Sequence, residues 1–346
     1  MRSMTLIELI EQGAAELEEA GAAFGHGTNN AFDEAAWLVL WQLGLPLDTP
    51  LDKPRGKSSR KASGIASGIA SGIASHTSPG TSPDTPVKSP VSLANRPIAL
   101  EEYAQAATIL KARVESRKPA AYLTHEAWLQ GVAFYVDERT IVPRSFIAEL
   151  LADGTIDAWL GEHTERVLDL CTGNGSLAVL AAMAYPEVIV DASDVSADAL
   201  AVARINVAKH ALQDRITVLL SDGLAATRGH YDLMLCNPPY VNAQSMAKLP
   251  AEYRAEPALA LDGNRQGGTD GMDFIRTLLR DAPAHMTPDA VLVLEIGNER
   301  DHFEAAFPRL EVVWLPTSAG TDQVLLVTAD ALRAQSPFGA LHGASQ

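Results

Sequence analysis

The sequence predicts an α/β fold, in which a doubly wound sheet of seven strands with an antiparallel last strand is joined to a small N-terminal helical domain. Two observations lead to this prediction. From about residue 146, short apolar runs alternate with helical stretches, and such alternation is typical of parallel βαβ units. Near residue 320, two apolar runs are separated only by a turn, so the last strand is expected to run antiparallel at one edge of the sheet.

The N-terminal part, residues 1–51 and 97–125, is predicted to be helical. Its first stretch carries apolar residues at helical spacing: Leu6, Leu9, Ile10 and Leu17. A second helix is expected to begin near Asn30, with Asn30 or Asp33 as its N-cap. A third is expected from Ala99 to Glu115. These helices are long enough to bury a small core of their own.

Residues 52–96 differ in composition from the rest of the chain. They are rich in Ser, Gly, Pro and Lys, and residues 63–74 repeat the tetrad Ser-Gly-Ile-Ala three times. Such a segment buries too little apolar surface to offset the entropy lost on ordering. We therefore predict that residues 52–96 form a disordered insert. Elsewhere in the chain, a β-hairpin connector is predicted at 126–145 and a flexible tail at 331–346.

The sheet domain spans residues 146–330. Its seven strands are predicted at Arg166–Leu170, Val188–Ala192, Ile216–Leu220, Tyr231–Cys236, Ala290–Ile296, Glu311–Leu315 and Val324–Thr328. A turn at Gly320-Thr321-Asp322 is expected between the last two strands. Helices are predicted at Leu177–Ala184, Ala197–Ala211 and Phe274–Ala282.

A glycine-rich turn after the first strand predicts a cofactor site. It reads Asp169-Leu170-Cys171-Thr172-Gly173-Asn174-Gly175, and its glycines let the backbone approach a ligand at the start of the next helix. Asp169 stands four residues before the first glycine, where a carboxylate can meet the ammonium group of a methionine moiety. Ala178 replaces the third glycine of a dinucleotide fingerprint, so the turn favours S-adenosylmethionine (AdoMet) over a dinucleotide.

Two further acids follow the next two strands. Asp194, beside Val195, lies just past the second strand, where a carboxylate accepts hydrogen bonds from both ribose hydroxyls. Asp222, before Gly223, follows the third strand and can accept a hydrogen bond from the adenine amine. Because the carboxyl ends of parallel strands share one edge of a sheet, these turns are expected to line one cofactor site.

The tetrapeptide Asn237-Pro238-Pro239-Tyr240 directly follows the fourth strand. Two prolines in succession make a stiff turn with an unpaired carbonyl. The Asn237 amide oxygen and the Pro238 carbonyl can then both accept hydrogen bonds from one planar NH₂ group, and Tyr240 adds an aromatic face. An amide and an exocyclic base amine both present such a group, so the pattern predicts a methyl acceptor of one of these two kinds.

The composition limits the classes of partner. A net charge of −16 argues against a protein that grips nucleic acid by its phosphates. Such a charge either attracts a basic protein partner or serves only to keep the protein soluble, and net charge does not identify a partner. No run of eighteen apolar residues predicts a membrane helix, and acids within the first eleven residues do not fit a signal peptide. The two cysteines, Cys171 and Cys236, lack metal-ligand spacing. We therefore predict a cytoplasmic protein without a metal site.

Together these motifs resemble the N5-glutamine protein methyltransferases, and within them the branch that methylates the third protein of the large ribosomal subunit. The resemblance covers most of residues 1–330 and includes these segments: GHGTNNAFDEA (25–35), AYLT (121–124), FYVDER (134–139), VPRS (142–145), LCTG (170–173), NPPYV (237–241), EYRAEP (252–257) and GTDG (268–271). It implies a Rossmann-like class I methyltransferase sheet, AdoMet as cofactor, and that ribosomal protein as substrate. The N-terminal helical domain is expected to recognise the substrate.

The resemblance also implies which residues form the site. The expected catalytic residues are Asn237, Pro238, Pro239 and Tyr240. The expected cofactor-binding residues are Asp169, Thr172, Gly173, Asn174, Gly175, Asp194, Val195, Asp222, Gly223 and Asn237. The insert is longer than the usual linker of the family, which affects the placement of the N-terminal domain and not the chemistry.

Three alternatives stay open at this point. A methyltransferase of peptide release factors shares the sheet domain but lacks the EYR–EP and YVDER wording. An N6-adenine methyltransferase of DNA or RNA can carry the same tetrapeptide, although it would be expected to add a basic target-recognition region and to flip its base out of a duplex. A non-catalytic scaffold with this fold would be expected to have lost Asn237 or the glycine turn.

Overall fold

A computed structural model describes residues 3–51 and 92–335. The predicted insert, apart from residues 92–96, and the predicted tail beyond residue 335 lie outside the described residues. The chain divides into two compact units, of which the first comprises Met1–Ala133 with Pro250–Ala255 and the second Phe134–Leu249 with Glu256–Gln346. The division falls inside the stretch for which a hairpin connector is predicted. No helix among the described residues has the length and apolar character needed to cross a bilayer.

The described part contains helices in both units. In chain order they are α1 (Leu6–Glu19), α2 (Ala31–Gln42), α3 (Leu100–Ser116), α4 (Ala120–Thr124), α5 (Ile147–Ala152), α6 (Ser176–Ala184), α7 (Ala197–Lys209), α8 (Ala243–Met246), α9 (Ala251–Arg254), α10 (Asp273–Asp281), α11 (Arg300–Ala306) and α12 (Ala329–Gln335). Short 3₁₀ turns lie at Thr155–Trp159, Ala258–Ala260 and Ala282–His285.

The strands form one hairpin and one large sheet. They are β1 (Glu126–Leu129), β2 (Val132–Tyr135), β3 (Arg166–Leu170), β4 (Ile189–Asp194), β5 (Ile216–Leu220), β6 (Tyr231–Cys236), β7 (Met286–Glu295), β8 (Val313–Thr317) and β9 (Gly320–Thr328). The hairpin pairs β1 with β2, and the large sheet has the order β5-β4-β3-β6-β7-β9-β8.

The first unit is a helical cluster whose helices begin where the sequence provides caps. Thr5 caps α1 in a capping box with Glu8, and Asn30 caps α2 by accepting a hydrogen bond from the Asp33 N–H at 2.9 Å. The predicted apolar face of α1 is buried, from Leu6 to Leu17. These helices also enclose a group of charges.

Arg113 of α3 is fully buried between two carboxylates. Its Nε lies 2.8 Å from Oε1 of Glu34 and its Nη1 lies 3.1 Å from Oε1 of Glu252, while Arg117 Nε contacts the same Glu252 oxygen at 2.7 Å. Burial raises the pKa of Glu34, although Arg113 acts in the opposite direction. Within the first unit, Glu34 therefore has Arg113 as its counter-charge, whereas Glu252 shares Arg113 and Arg117.

The second unit is built on the seven-stranded sheet, and it confirms the predicted fold. Strands β3 to β7 pair in parallel, and β9 runs antiparallel to both β7 and β8. In the register, Leu170 at the end of β3 lies opposite Ser193 of β4 and Cys236 of β6. The strand order reverses between β3 and β6, and ligands of open α/β sheets bind at such a switch point.

Several predicted boundaries are wrong. The strand predicted from Ala290 begins at Met286, and the strand predicted from Val324 begins at Gly320, so the predicted turn at residues 320–322 belongs to β9. The first residues of β7 include polar side chains and Pro288, which are not typical of a strand. At the other boundary, Thr317 pairs with Gly320, so only two residues are left in the turn between β8 and β9. The strand predicted at Glu311–Leu315 lies at Val313–Thr317.

Candidate active site

A cavity of about 310 Å³ lies at the carboxyl ends of β3 to β6, within the second unit. All four predicted turns contribute to its lining, through Gly173, Asp194, Asp222 and Asn237 among others. Of the other predicted site residues, Val195, Gly223 and Pro239 also line it. The remaining ones are not part of the lining: Asp169, Thr172, Asn174, Gly175, Pro238 and Tyr240.

The glycine turn between β3 and α6 has a backbone that favours glycine. Cys171, Gly173 and Gly175 have φ angles of +59°, +56° and +81°. A Cβ on Gly175 would lie 3.2 Å from Cα of Ala203 in α7, whereas a Cβ on Gly173 would meet nothing within 4 Å. Gly175 is thus needed for helix packing, and Gly173 leaves open space in a turn that lines the cavity.

Alanine substitutions should separate these two roles. Gly175→Ala is expected to destabilise the protein by about 2–3 kcal/mol, because left-handed strain adds to the close contact with Ala203. Gly173→Ala is expected to lose only about 1–2 kcal/mol through its backbone conformation, and to weaken cofactor binding more than stability. Urea unfolding and calorimetric titration with AdoMet would measure both effects, and equal losses of stability in the two variants would contradict the assignment.

Asp169 lies fully buried beneath this turn. Its Oδ2 accepts hydrogen bonds from the Thr172 hydroxyl and, at 2.9 Å, from the Ala178 N–H, which ties the turn to α6. Its Oδ1 has no hydrogen-bond partner among the described residues. Burial raises the pKa of Asp169 to about 7, against the opposing effect of Thr172. A cation placed beside Oδ1 would satisfy this oxygen.

Asn206 of α7 also supports the glycine turn, through a hydrogen bond to its backbone. The sequence analysis missed this residue. Its Nδ2 donates to the carbonyl oxygens of Asn174 at 2.8 Å and Tyr135 at 2.9 Å, and its Oδ1 accepts from the Tyr135 N–H at 2.7 Å. The only signal in the sequence is a polar residue on the buried face of a helix. Next to this contact, the Nδ2 of Asn174 is buried without a partner among the described residues.

Asp194 at the end of β4 is both a structural and a lining residue. Its Oδ2 accepts a hydrogen bond from the Gly173 N–H at 3.0 Å and its Oδ1 accepts one from the Ser196 N–H at 2.8 Å. Burial raises the pKa of Asp194, and these backbone hydrogen bonds oppose the rise. Each carboxylate oxygen can accept a second hydrogen bond, so the side chain can still bind a diol in the cavity.

The third turn presents an exposed acid beside an aromatic ring. Asp222 is exposed and lines the cavity together with Gly223 and Phe274. The ring edge of Phe274 lies 3.8 Å from the position of a Cβ on Gly223. The sequence analysis missed Phe274, because nothing in an amphipathic helix marks which aromatic residue faces a ligand. This corner offers a carboxylate and an apolar face, which suit a base that carries an NH₂ group.

Two residues of the Asn237-Pro238-Pro239-Tyr240 turn face the cavity, and the other two pack away from it. Asn237 and Pro239 line the cavity, and none of the described residues forms a hydrogen bond with the Asn237 side chain. Pro238 is buried. The Tyr240 ring packs on Gly297, since a Cβ there would lie 2.6 Å from its Cε2. The amide of Asn237 is therefore available to a ligand, whereas Tyr240 supports the turn.

Buried acids surround Tyr240. Glu295 at the end of β7 accepts hydrogen bonds from the Ser145 hydroxyl at 2.6 Å and the Phe146 N–H at 2.9 Å. Glu256 forms a bidentate ion pair with Arg144, at 2.6 and 2.7 Å. Burial and then the nearby Glu295 raise the pKa of Tyr240, which Arg144 opposes. The segments VPRS and EYRAEP therefore meet behind the turn, and Arg144 and Ser145 serve there as structural partners.

Glu295 should make stability depend on pH. Burial raises its pKa to about 7 from 4.5, so the folded state binds a proton more tightly than the unfolded state. Stability from this group is complete below about pH 4.5 and is lost as the pH rises through about 7. Relative to wild type, Glu295→Gln is expected to gain about 2–3 kcal/mol in unfolding free energy between pH 5 and 8. Parallel pH profiles of the two proteins in urea unfolding would contradict this.

Comparison with known proteins gives the family of the chain. A family model described as "Methyltransferase small domain" matches residues 149–257. Several curated relatives are named ribosomal protein uL3 glutamine methyltransferase. The relative from Bordetella pertussis is 46% identical to this chain, over 95% of this chain and 96% of its own length. The relatives in Burkholderia pseudomallei and Bradyrhizobium diazoefficiens are 44% and 39% identical, over 95% and 94% of this chain and 96% and 91% of their own lengths.

These matches confirm the resemblance inferred from the motifs, in preference to the release-factor, adenine and scaffold alternatives. The chain aligns with these relatives over nearly its whole length, and a methyltransferase family model matches part of it. The chain therefore belongs to the family of ribosomal protein uL3 glutamine methyltransferases.

Proposed function

We propose that this enzyme transfers a methyl group from AdoMet to the side-chain nitrogen of a glutamine in ribosomal protein uL3. One observation carries the proposal: the amide of Asn237 lines the same cavity as Gly173, Asp194 and Asp222. A methyl acceptor and a nucleoside-containing donor can therefore meet there. The named acceptor of the relatives is a ribosomal protein, and we infer that the enzyme acts in the cytoplasm.

Residues in the cavity lining and directly beneath it fit AdoMet at three points. The Oδ1 of Asp169, buried and without a partner among the described residues, suits the ammonium group of the methionine moiety. Asp194 retains acceptor capacity for the ribose hydroxyls, and Asp222 beside Phe274 suits the adenine ring and its amine. Gly173 leaves space for the backbone to approach the ligand. When bound, AdoMet supplies an electrophilic methyl group on a sulfonium sulfur.

Asn237 and Pro238 position the acceptor nitrogen. An amide nitrogen is a poor nucleophile, because its lone pair is delocalised into the carbonyl. The Asn237 Oδ1 and the Pro238 carbonyl oxygen would accept both N–H groups of the glutamine, which directs the lone pair toward the methyl group. They also favour the positive charge that develops on nitrogen, so positioning and electrostatics supply most of the acceleration.

No general base is needed in this scheme. The amide is too weak an acid to be ionised by a side chain before the transfer. Once nitrogen carries the methyl group it becomes a strong acid, and the proton then passes to water. Tyr240 acts by holding the turn through its packing on Gly297.

Asp169→Asn tests the cofactor assignment without an activity assay. It removes the charge that would face the ammonium group, so the affinity for AdoMet is expected to fall about 10- to 100-fold, as for the loss of a charged hydrogen bond. Asp198→Asn, an exposed acid in the first turn of α7, serves as the matched control. Calorimetric titration would reveal the difference, and unchanged affinity in Asp169→Asn would remove Asp169 from the site.

Mapping the methyl group tests the acceptor chemistry. Purified uL3 would be incubated with the enzyme and methyl-labelled AdoMet, digested and sequenced by tandem mass spectrometry. Label on the side-chain nitrogen of a glutamine is the expected result. Label on a lysine, an arginine or a chain terminus would contradict the role proposed for Asn237 and Pro238.

A further inference from the structure

The first unit carries an apolar groove that the chemistry of the cavity does not use. The groove has a volume of about 430 Å³ and is lined by the end of α2, the loop after it and β1. Its apolar lining residues are Trp41, Leu45, Pro46, Leu47 and Trp128. All of them belong to the first unit.

Two tryptophans that are not fully buried line this groove, Trp41 and Trp128. Trp41 remains 37% exposed at the end of α2, whereas Trp37 one turn earlier is 3% exposed. Trp128 is partly buried, and its Nε1 donates a hydrogen bond to Glu126 at 2.8 Å, which fixes the ring. Rigid, partly exposed tryptophans in a concave site are the side chains that most often dominate protein–protein binding energy.

The lining of the groove is acidic. Asp48 and Glu126 belong to the lining, which contains no Lys or Arg side chain. An acidic surface raises the encounter rate with a basic protein and repels nucleic acid phosphates.

We propose that this groove docks a basic segment of the acceptor protein, with an apolar side chain seated between Trp41 and Trp128 and Lys or Arg beside Asp48. The inference rests on the proposed function and adds a second contact to it. The groove and the catalytic cavity have no lining residue in common. In this proposal the docked segment makes a contact in the first unit that takes no part in the amide chemistry, so it contributes to selection of the acceptor protein.

The kinetic signature of such a contact is a KM effect limited to the whole acceptor. The double variant Trp41→Ser/Leu47→Lys is expected to raise the KM for intact uL3 at least about tenfold, since it removes one aromatic anchor and adds repulsion. Its kcat at saturating uL3 should stay unchanged, as should its turnover of a short peptide that contains only the methylated glutamine and its neighbours. Equal losses with uL3 and with the peptide, or no change with either, would overturn the proposal.

A matched control and a charge variant sharpen the test. Leu100→Lys alters an apolar residue of the same unit that is 85% exposed and lies outside the groove, and it should leave both KM values unchanged. Asp48→Lys should lower kcat/KM for uL3 at low ionic strength. At high salt the kcat/KM of this variant should approach the wild-type value, because screening weakens the repulsion. A salt-independent loss would contradict charge complementarity.

Other occupants of the groove would give different results. If residues 52–91 of the chain itself filled the groove, deleting them would lower the KM for uL3. If a second copy filled it, the mass measured by light scattering would rise with concentration, and Trp41→Ser/Leu47→Lys would abolish that rise. Either outcome would overturn the docking proposal. Failure of the wild-type enzyme to methylate uL3 would instead refute the proposed function.

Discussion

Replacing Asn237 by alanine is expected to lower kcat at least about 10²-fold, because one of the two oxygens that hold the acceptor nitrogen is lost. The affinity for AdoMet should stay within about threefold of wild type, since the turns after β3, β4 and β5 carry most of the predicted cofactor contacts. Single-turnover kinetics with uL3 and calorimetric titration with AdoMet would measure the two quantities separately.

Asn298→Ala is the matched control for this variant. Asn298 is an exposed asparagine just beyond the end of the neighbouring strand β7, and it does not line the cavity. Its replacement should leave both kcat and AdoMet affinity unchanged. If Asn237→Ala lost AdoMet affinity as strongly as turnover, Asn237 would be a cofactor ligand and the acceptor role would be wrong.

Replacing Arg113 by methionine is expected to destabilise the protein by about 3–5 kcal/mol, because the buried Glu34 loses its ion-pair partner and Glu252 keeps only Arg117. Methionine keeps much of the volume of the side chain, so the loss reports on charge more than on packing. The measurement is the free energy of unfolding of the first unit in urea, followed at neutral pH.

Lys111→Ala, two residues earlier on α3, provides the comparison. Lys111 forms an exposed pair with Glu115 at 3.6 Å, with exposed fractions of 71% and 66%, and such a pair contributes little. Adding Glu34→Gln to Arg113→Met should recover part of the lost stability, since Glu34 loses its ion-pair partner whereas Glu252 keeps Arg117. A loss below about 1 kcal/mol in Arg113→Met would show that water or local rearrangement neutralises the acids.

The sequence was sufficient to predict the sheet and the edge at which the cavity lies. Strands β3, β5 and β6 match the prediction to the residue, because each is a compact apolar run that ends at a polar turn. The polar turns carry Gly173, Asp194, Asp222 and Asn237, and parallel pairing alone brings such turns to one edge. Local pattern and topology therefore determined this part of the site.

The supporting contacts could not be predicted in the same way, since they join residues far apart in the chain. Asn206 reaches Tyr135 and Asn174, and Glu295 reaches Ser145, although nothing in the spacing of these residues links them. The EYRAEP segment (252–257) entered the sequence analysis only as one of the segments that carry the family resemblance. Its two glutamates have separate partners, since Glu252 pairs with Arg113 and Arg117 in the first unit and Glu256 with Arg144 in the second.

The strand ends that were mispredicted have a common cause. Residues 286–290 and 320–323 are polar or contain Pro and Gly, so their intrinsic preference is for turns. They become strands because Met286 pairs with Tyr231 and Gly320 with Thr317. Backbone pairing to a neighbouring strand overrides local preference there, and a sequence read without its partners does not contain that information.

The measurement that tests the central claim most directly is an acceptor comparison with tritiated AdoMet. Equal amounts of purified uL3, a peptide release factor and DNA, in duplex and single-stranded form, would be offered separately to the wild-type enzyme and to Asn237→Ala. The wild-type enzyme is expected to label uL3 alone. With Asn237→Ala, the label incorporated into uL3 should be at least about 10²-fold lower. Label in the release factor would preserve the amide chemistry but contradict the acceptor, and label in DNA would contradict glutamine methylation itself.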